Sequence, residues 1–267
     1  MNIALIEDAA DIRLCDYRNV PDPELVERRG IFVAEGRLVV RRLLLDSPLA
    51  TRSVLVTEPG LEALSDAIRQ RSDVPVFVVP QSLMSDITGF HIHRGCLAIG
   101  ERPQPADWRS VAEETRVIVA LERVANADNV GGVFRNVAAF GAGAVLLDPV
   151  STDPLYRKAI RTSMGSALTV PFARIEPWPE AIEEMKQRGI ATMALTPSAS
   201  AQPLADIAKT VTGRPVAIIL GHEGEGLTPS ALLACEYRAR IPMMPGADSL
   251  NVATAAGIAL YEVRRAG

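Results

Sequence analysis

Val216-Ala-Ile-Ile-Leu-Gly-His-Glu-Gly-Glu-Gly-Leu227 runs from an unbroken apolar stretch straight into a glycine-rich turn. The apolar part does not alternate in polarity, which is how a parallel strand covered on both faces reads. The glycines end it, and Pro229–Ala234 beyond them reads as a helix. Phosphate-binding loops occur in this order of strand, glycine loop and helix. The spacing here is Gly-x-x-Gly-x-Gly, however, without the Gly-x-Gly-x-x-Gly of dinucleotide folds and without a following Gly-Lys-Ser/Thr. A nucleotide phosphate cradle is therefore disfavoured, and with it an oxidoreductase. Glu223 and Glu225 make the loop more than a plain flexible turn.

The same grammar extends on both sides. Val117–Leu121, Ala144–Leu147, Val170–Ile175, Ile190–Leu195 and Arg238–Ile241 read as further strands. Helices are expected near Asn129–Phe140, Pro154–Thr162, Pro179–Arg188 and Ser249–Arg265. In the first of these, Val130, Val133, Phe134, Val137 and Ala138 share one face at helical spacing, so that face is core. Glu101-Arg-Pro-Gln-Pro-Ala-Asp107 has two prolines and no periodicity and reads as an interdomain linker. Before it, Ile31–Ala34, Ser53–Val56, Val76–Val79 and Cys96–Ile99 alternate with helical patterns at Arg37–Leu45, Leu61–Arg71 and Ser82–Ile87. The expected fold class is α/β, with a smaller domain over 1–105 and a larger one over 106–267.

Composition narrows the function. Of 267 residues, 48% are hydrophobic and 22% charged, as in an ordinary folded protein. Cys15, Cys96 and Cys235 are odd in number and far apart, so no disulfide framework is expected. The acidic start lacks the apolar region of a secretory signal, and no apolar run nears the roughly 18 residues of a membrane span. A cytoplasmic protein with no membrane partner is expected. The net charge of −4 argues against a large polyanion-binding surface. Of 28 basic side chains all but Lys158, Lys186 and Lys209 are arginine, whose fork suits phosphate. A GC-rich genome writes the same bias, so charge alone assigns nothing. His91, His93 and Cys96 could ligate a metal, but zinc would want a fourth ligand or an open position, and no metal is expected. With three histidines and no Gly-x-Ser-x-Gly elbow, a Ser-His-Asp hydrolase is not expected.

The last cluster is Ile241-Pro-Met243, followed by Ser249-Leu-Asn251 and a helix rich in small residues, for which Ser249 reads as the cap. Ala253, Ala256, Gly257 and Leu260 suit close helix packing within the chain or between two copies. Together with Asn126-Ala-Asp-Asn-Val-Gly-Gly-Val-Phe-Arg135, in which Asn129 stands six residues before Arg135, and with 216–227, this cluster resembles the three motifs of the SPOUT superfamily. The likeness is specifically to its SpoU/TrmH class of RNA ribose 2′-O-methyltransferases, in the family's order over about 150 residues. One departure is His222, where the family often has Asn or a small residue. Residues 1–105, with Phe32-Val-Ala-Glu-Gly36, are similar to a ribosomal-protein-like RNA-binding domain.

The resemblance implies an open parallel sheet with a deep trefoil knot, a homodimer, and S-adenosylmethionine as cofactor. It implies cofactor contacts at Leu195, Thr196, Gly221, His222, Ile241, Met243 and Leu250. It further implies that Arg135 meets the RNA at the reacting ribose, positioned with the cofactor by Asn129, Glu223, Ser249 and Asn251. Arg157, Lys158, Arg161 and Ser163 would contact RNA, ribosomal RNA being the first expectation and transfer RNA the second. The rival is a catalytically silent RNA-binding or ribosome-assembly protein that keeps the fold.

Overall fold

A computed structural model describes residues 2–18, 20–88, 95–244, 246 and 249–267. Its first elements are β1 (Ile3–Leu5), β2 (Ile31–Glu35), α1 (Arg37–Leu45), β3 (Thr51–Val56), α2 (Glu58–Ala63), α3 (Ser65–Gln70), β4 (Val76–Val78), α4 (Gln81–Thr88) and β5 (Cys96–Glu101). After the proline-containing connection come α5 (Trp108–Glu113), β6 (Val117–Leu121), α6 (Ala127–Phe140), β7 (Ala144–Leu147), α7 (Arg157–Thr162) and β8 (Phe172–Arg174). The chain ends with α8 (Glu180–Gln187), β9 (Ala191–Leu195), β10 (Gln202–Pro203), α9 (Leu204–Thr210), β11 (Val216–Leu220), α10 (Pro229–Ala234), β12 (Tyr237–Arg240) and α11 (Val252–Ala266).

Two compact units result. The larger comprises residues 105–153 and 170–267. Its sheet has the order β10-β12-β9-β11-β6-β7-β8, and every neighbouring pair is parallel. Helices on both faces explain why its strands are apolar throughout: β6, β7 and β11 are buried along nearly their whole length. One face carries a core of Trp108, Ile118, Ala120, Leu146, Ile182, Met185 and Ile219.

The smaller unit joins residues 1–104 to 154–169. Its sheet, β1-β4-β3-β5-β2, is mixed: β5 runs antiparallel to both β2 and β3, while β1, β4 and β3 are parallel. The segment carrying α7 was expected within the 106–267 domain but folds with this unit for identifiable reasons. Asp22 accepts hydrogen bonds from the backbone N and from Nε of Arg157, at 3.0 and 2.7 Å. Ser47 Oγ donates to the carbonyl of Leu168, and Arg42 Nη1 to that of Met164, at 2.5 and 2.9 Å.

Several local expectations change. Leu61–Arg71 is interrupted at Leu64, leaving the two short helices α2 and α3. β1 and the β10–α9 pair were not foreseen. For α9 the signal was in the sequence, since Leu204, Ile207, Ala208 and Val211 recur at helical spacing and are all buried. β1 is only three residues long within the short apolar run 3–6, and its Ile3 and Leu5 remain exposed.

Candidate active site

The carboxyl ends of β12, β9 and β11 are neighbours in the sheet, and a loop leaves each of them. In open parallel sheets ligands bind outside those ends. Here the loops enclose a cavity of about 270 Å³ lined by Leu195, Thr196, Gly221, His222, Ile241, Met243 and Leu250, the residues expected to contact a cofactor. Glu223 and Ser249 also line it, and Leu220, Leu227 and Val252 contribute apolar wall.

Gly221 is required by the close return of its own loop. A Cβ there would lie 2.4 Å from both the carbonyl carbon of Gly226 and the amide nitrogen of Leu227. The loop is also braced from within. His222 Nδ1 accepts from the amides of Gly224 and Glu225 at 3.0 and 3.2 Å, and its carbonyl accepts from Gly226 N at 2.9 Å. A neutral His222 therefore carries its proton on Nε2. In this chain His222 organises the turn as well as facing the cavity.

Three motifs distant in sequence meet beside this loop. Asn251, not Ser249, caps α11: its Oδ1 accepts from the amides of Ala253 and Thr254 at 2.9 and 3.3 Å. A serine two positions earlier is too far back for that role. The cap commits Oδ1 to the helix, so Asn251 Nδ2 must point away from it. That nitrogen donates to Asn129 Oδ1 at 2.7 Å. Asn129 Nδ2 then donates to Glu223 Oε1 at 2.6 Å. Asn129 is buried and lies in the first turn of α6, which Asn126 caps. The relay thus runs from a helix N-terminus to a carboxylate on the cavity wall, and every amide orientation in it is set by chemistry.

Arg135 lies further along α6, exposed, and its side chain forms no hydrogen bond or ion pair with another described residue. It is outside the Asn129 relay. Among the expected RNA contacts, Arg157 is held by Asp22 and by the carbonyl of Val20, and Arg161 is 3.9 Å from Glu35. Lys158 makes contacts of its own. Ser163 is fully buried, donating to the Ile160 carbonyl and accepting from Ala167 N, so its hydroxyl is not offered to a ligand. Of the residues expected to contact RNA, Arg157 and Ser163 thus have their side chains engaged inside the smaller unit.

The small residues of α6 and α11 serve the chain itself. A Cβ on Gly132 would sit 2.6 Å from that of Ala253, and Asn136 Nδ2 donates to the Ala253 carbonyl at 2.6 Å. Glu122, which sequence reasoning missed, is 1% exposed at the end of β6. Its carboxylate accepts from Trp178 Nε1, Thr228 N and Thr228 Oγ1, each at 2.8 Å. It pins the exit of the glycine loop to the sheet. A lone carboxylate ending an apolar strand was the available signal.

His91 and His93 lie outside the described residues, and among the described residues no group of three or more His, Cys, Asp or Glu side chains could hold a metal ion. No helix of the described residues is long and apolar enough to cross a membrane.

Comparison with known proteins places this architecture. A model of the SpoU rRNA Methylase family matches residues 116–261, a span containing all three motifs. A Mycobacterium bovis protein described as an uncharacterized tRNA/rRNA methyltransferase is 39% identical, over 97% of this chain and 91% of its own length. The AdoMet-bound rRNA methyltransferase of Sinorhizobium meliloti superposes with a TM-score of 0.84 at 26% identity, covering 99% of this chain and 98% of the other. A crystallised RNA 2′-O ribose methyltransferase gives a TM-score of 0.78 at 25% identity, over 98% and 99% of the two chains. With its parallel sheet, its three motifs in order and near full-length relatives, this chain belongs to the SpoU rRNA Methylase family.

Proposed function

We propose that the protein transfers a methyl group from S-adenosylmethionine to the ribose 2′-hydroxyl of a nucleotide in structured RNA, with ribosomal RNA the first candidate and transfer RNA the second. The observation that carries this reading is the Asn251–Asn129–Glu223 relay, which joins residues of all three motifs at the wall of one cavity. The likeness to an RNA 2′-O ribose methyltransferase and to an AdoMet-bound rRNA methyltransferase supports it.

The cavity fits such a cofactor in its chemistry. Its apolar walls suit an adenine ring, its strand-end loops offer backbone groups, and Glu223 and Glu225 suit a cationic ligand. Leu195, Thr196, Gly221, His222, Ile241, Met243 and Leu250 would hold it. Once bound, S-adenosylmethionine supplies an electrophilic methyl on a sulfonium whose sulfur leaves neutral. The remaining work falls to alignment and to loss of the hydroxyl proton.

Glu223 is held by Asn129, and Asn251 fixes Asn129, so the cavity wall is preorganised. Ser249 lines the same wall. Arg135, unpaired among the described residues, is the group that meets RNA. A guanidinium has a pKa above about 12 and makes a poor base. In this reading Arg135 stays charged, grips the phosphate next to the target ribose and stabilises the developing alkoxide, while the proton leaves to water. The smaller unit recruits RNA, the parallel-sheet unit carries the trefoil knot of the SPOUT class, and a cytoplasmic homodimer is the working form.

The test combines calorimetric titration with S-adenosylmethionine and mapping of 2′-O-methyl sites in rRNA and tRNA of a deletion strain. Arg135→Ala should keep cofactor affinity and lose more than about tenfold in kcat, because the interaction matters most in the transition state. No cofactor binding, or full kcat in Arg135→Ala, would reject the reading.

A further inference from the structure

The glycine loop is tied to the rest of the larger unit at a third point that the proposed reaction leaves unused. Arg123, two residues beyond the end of β6, has φ 59°, in the left-handed region that residues with a Cβ seldom adopt. Its neighbours hold it there. Glu122 N donates to the Leu220 carbonyl at 2.8 Å, Val124 N donates to Ser151 Oγ at 3.0 Å, and the Val124 carbonyl accepts from Thr152 N at 2.9 Å. From that backbone Arg123 Nη2 reaches Glu225 Oε2 at 2.8 Å. Glu225 lines the cavity.

The loop's other bonds divide into two kinds. Those made by His222 join loop residues to one another and travel with the loop if it opens. Two others anchor it to the rest of the unit, Asn129 to Glu223 near its start and Glu122 to Thr228 at its exit. Arg123 adds a tie at the crest, between those two anchors. A strained backbone conformation persists where its surroundings over-determine it. Here the strain aims the guanidinium across to the loop.

We infer that Arg123 is a positioning residue for the cofactor loop: its ion pair with Glu225 holds the crest of residues 221–227 closed beside the cavity and thereby sets the affinity for S-adenosylmethionine. This rests on the proposal that S-adenosylmethionine occupies that cavity. Both side chains are substantially exposed, at 41% and 67%, so the effect is modest.

Arg123→Gly separates the two roles that Arg123 combines. Glycine adopts φ 59° without steric cost, so the melting temperature should stay level or rise. Removing the guanidinium should speed amide hydrogen exchange of loop residues 222–226 in the cofactor-free protein and weaken the calorimetric Kd for S-adenosylmethionine, each by about two- to fivefold. Glu225→Gln should do the same, and the double variant should be no worse than either single change. Unchanged loop exchange and unchanged Kd in Arg123→Gly overturn the proposal, as does full additivity of the two substitutions. If the wild-type protein bound no S-adenosylmethionine, the cofactor assignment would fall, while loop exchange in the variants would still decide whether the latch exists.

Discussion

Asn129→Asp is nearly isosteric and strikes the joint of the active-site relay. In the wild type the Asn129 amide donates to the Glu223 carboxylate at 2.6 Å and accepts from Asn251 at 2.7 Å. The substitution keeps the acceptor and removes the donor. Loss of a hydrogen bond to a charged group costs about 1.5–3 kcal/mol. Two ionised carboxylates about 4 Å apart would add up to ~4 kcal/mol at an effective dielectric constant near 20, a ceiling that uptake of one proton relieves. A net destabilisation of about 2–4 kcal/mol at pH 8 is therefore expected, shrinking to below ~1 kcal/mol at pH 4.5.

The sign follows from linkage. The introduced carboxyl shares a proton with Glu223 in the fold, so its folded pKa rises above the unfolded value of about 4. Its favourable state is fully present below the unfolded pKa and is lost as pH rises through the folded one. Urea unfolding of wild type and variant, side by side at both pH values, reads the difference. Equal destabilisation at pH 4.5 and pH 8 would refute the relay, since no carboxylate would then face the introduced group.

Other consequences are independent of that test. Gly132→Ala should destabilise the protein by about 1–3 kcal/mol in chemical unfolding, although the same change in an open helix gains about 1, because the new Cβ meets Ala253 at 2.6 Å. Burial pushes the thiols of Cys96 and Cys235 up to about 11 and about 12, so at pH 8 both should resist iodoacetamide in the native protein. Peptide mapping should find Cys15, which is partly exposed, as the alkylated site, and equal labelling of all three would contradict the burial. Light scattering of the full chain at micromolar concentration should give twice the 28.7 kDa chain mass, and a monomer would reject the homodimer. The full chain is the right sample, because a truncation after residue 105 would strip residues 154–169 of the unit they fold with.

Much of the larger unit could be read without a structure. Runs such as 117–121 and 216–220 announce themselves because a strand buried on both faces must be apolar at every position. α6 is legible because a helix facing a core must repeat its apolar residues at helical spacing. Strand ends and the glycine turn are likewise written locally, whereas the residues expected to line the cavity came from the likeness of three motifs to a known family and not from local pattern. What the chain order conceals is which polar groups meet. Asn129 finds Glu223 across 94 residues and Asn251 across 122. Hydrogen-bond partners carry no periodicity, so it takes the packing of α6 against α11, and the placing of the loop after β11 beside them, to bring the three together. The cap of α11 passed from Ser249 to Asn251 for the same reason, because a cap is chosen by where the first turn sits. Arg157 is a bare positive charge in the sequence, and the fold pairs it with Asp22, 135 residues away. A charge shows its sign in the sequence, but its partner is decided by tertiary geometry.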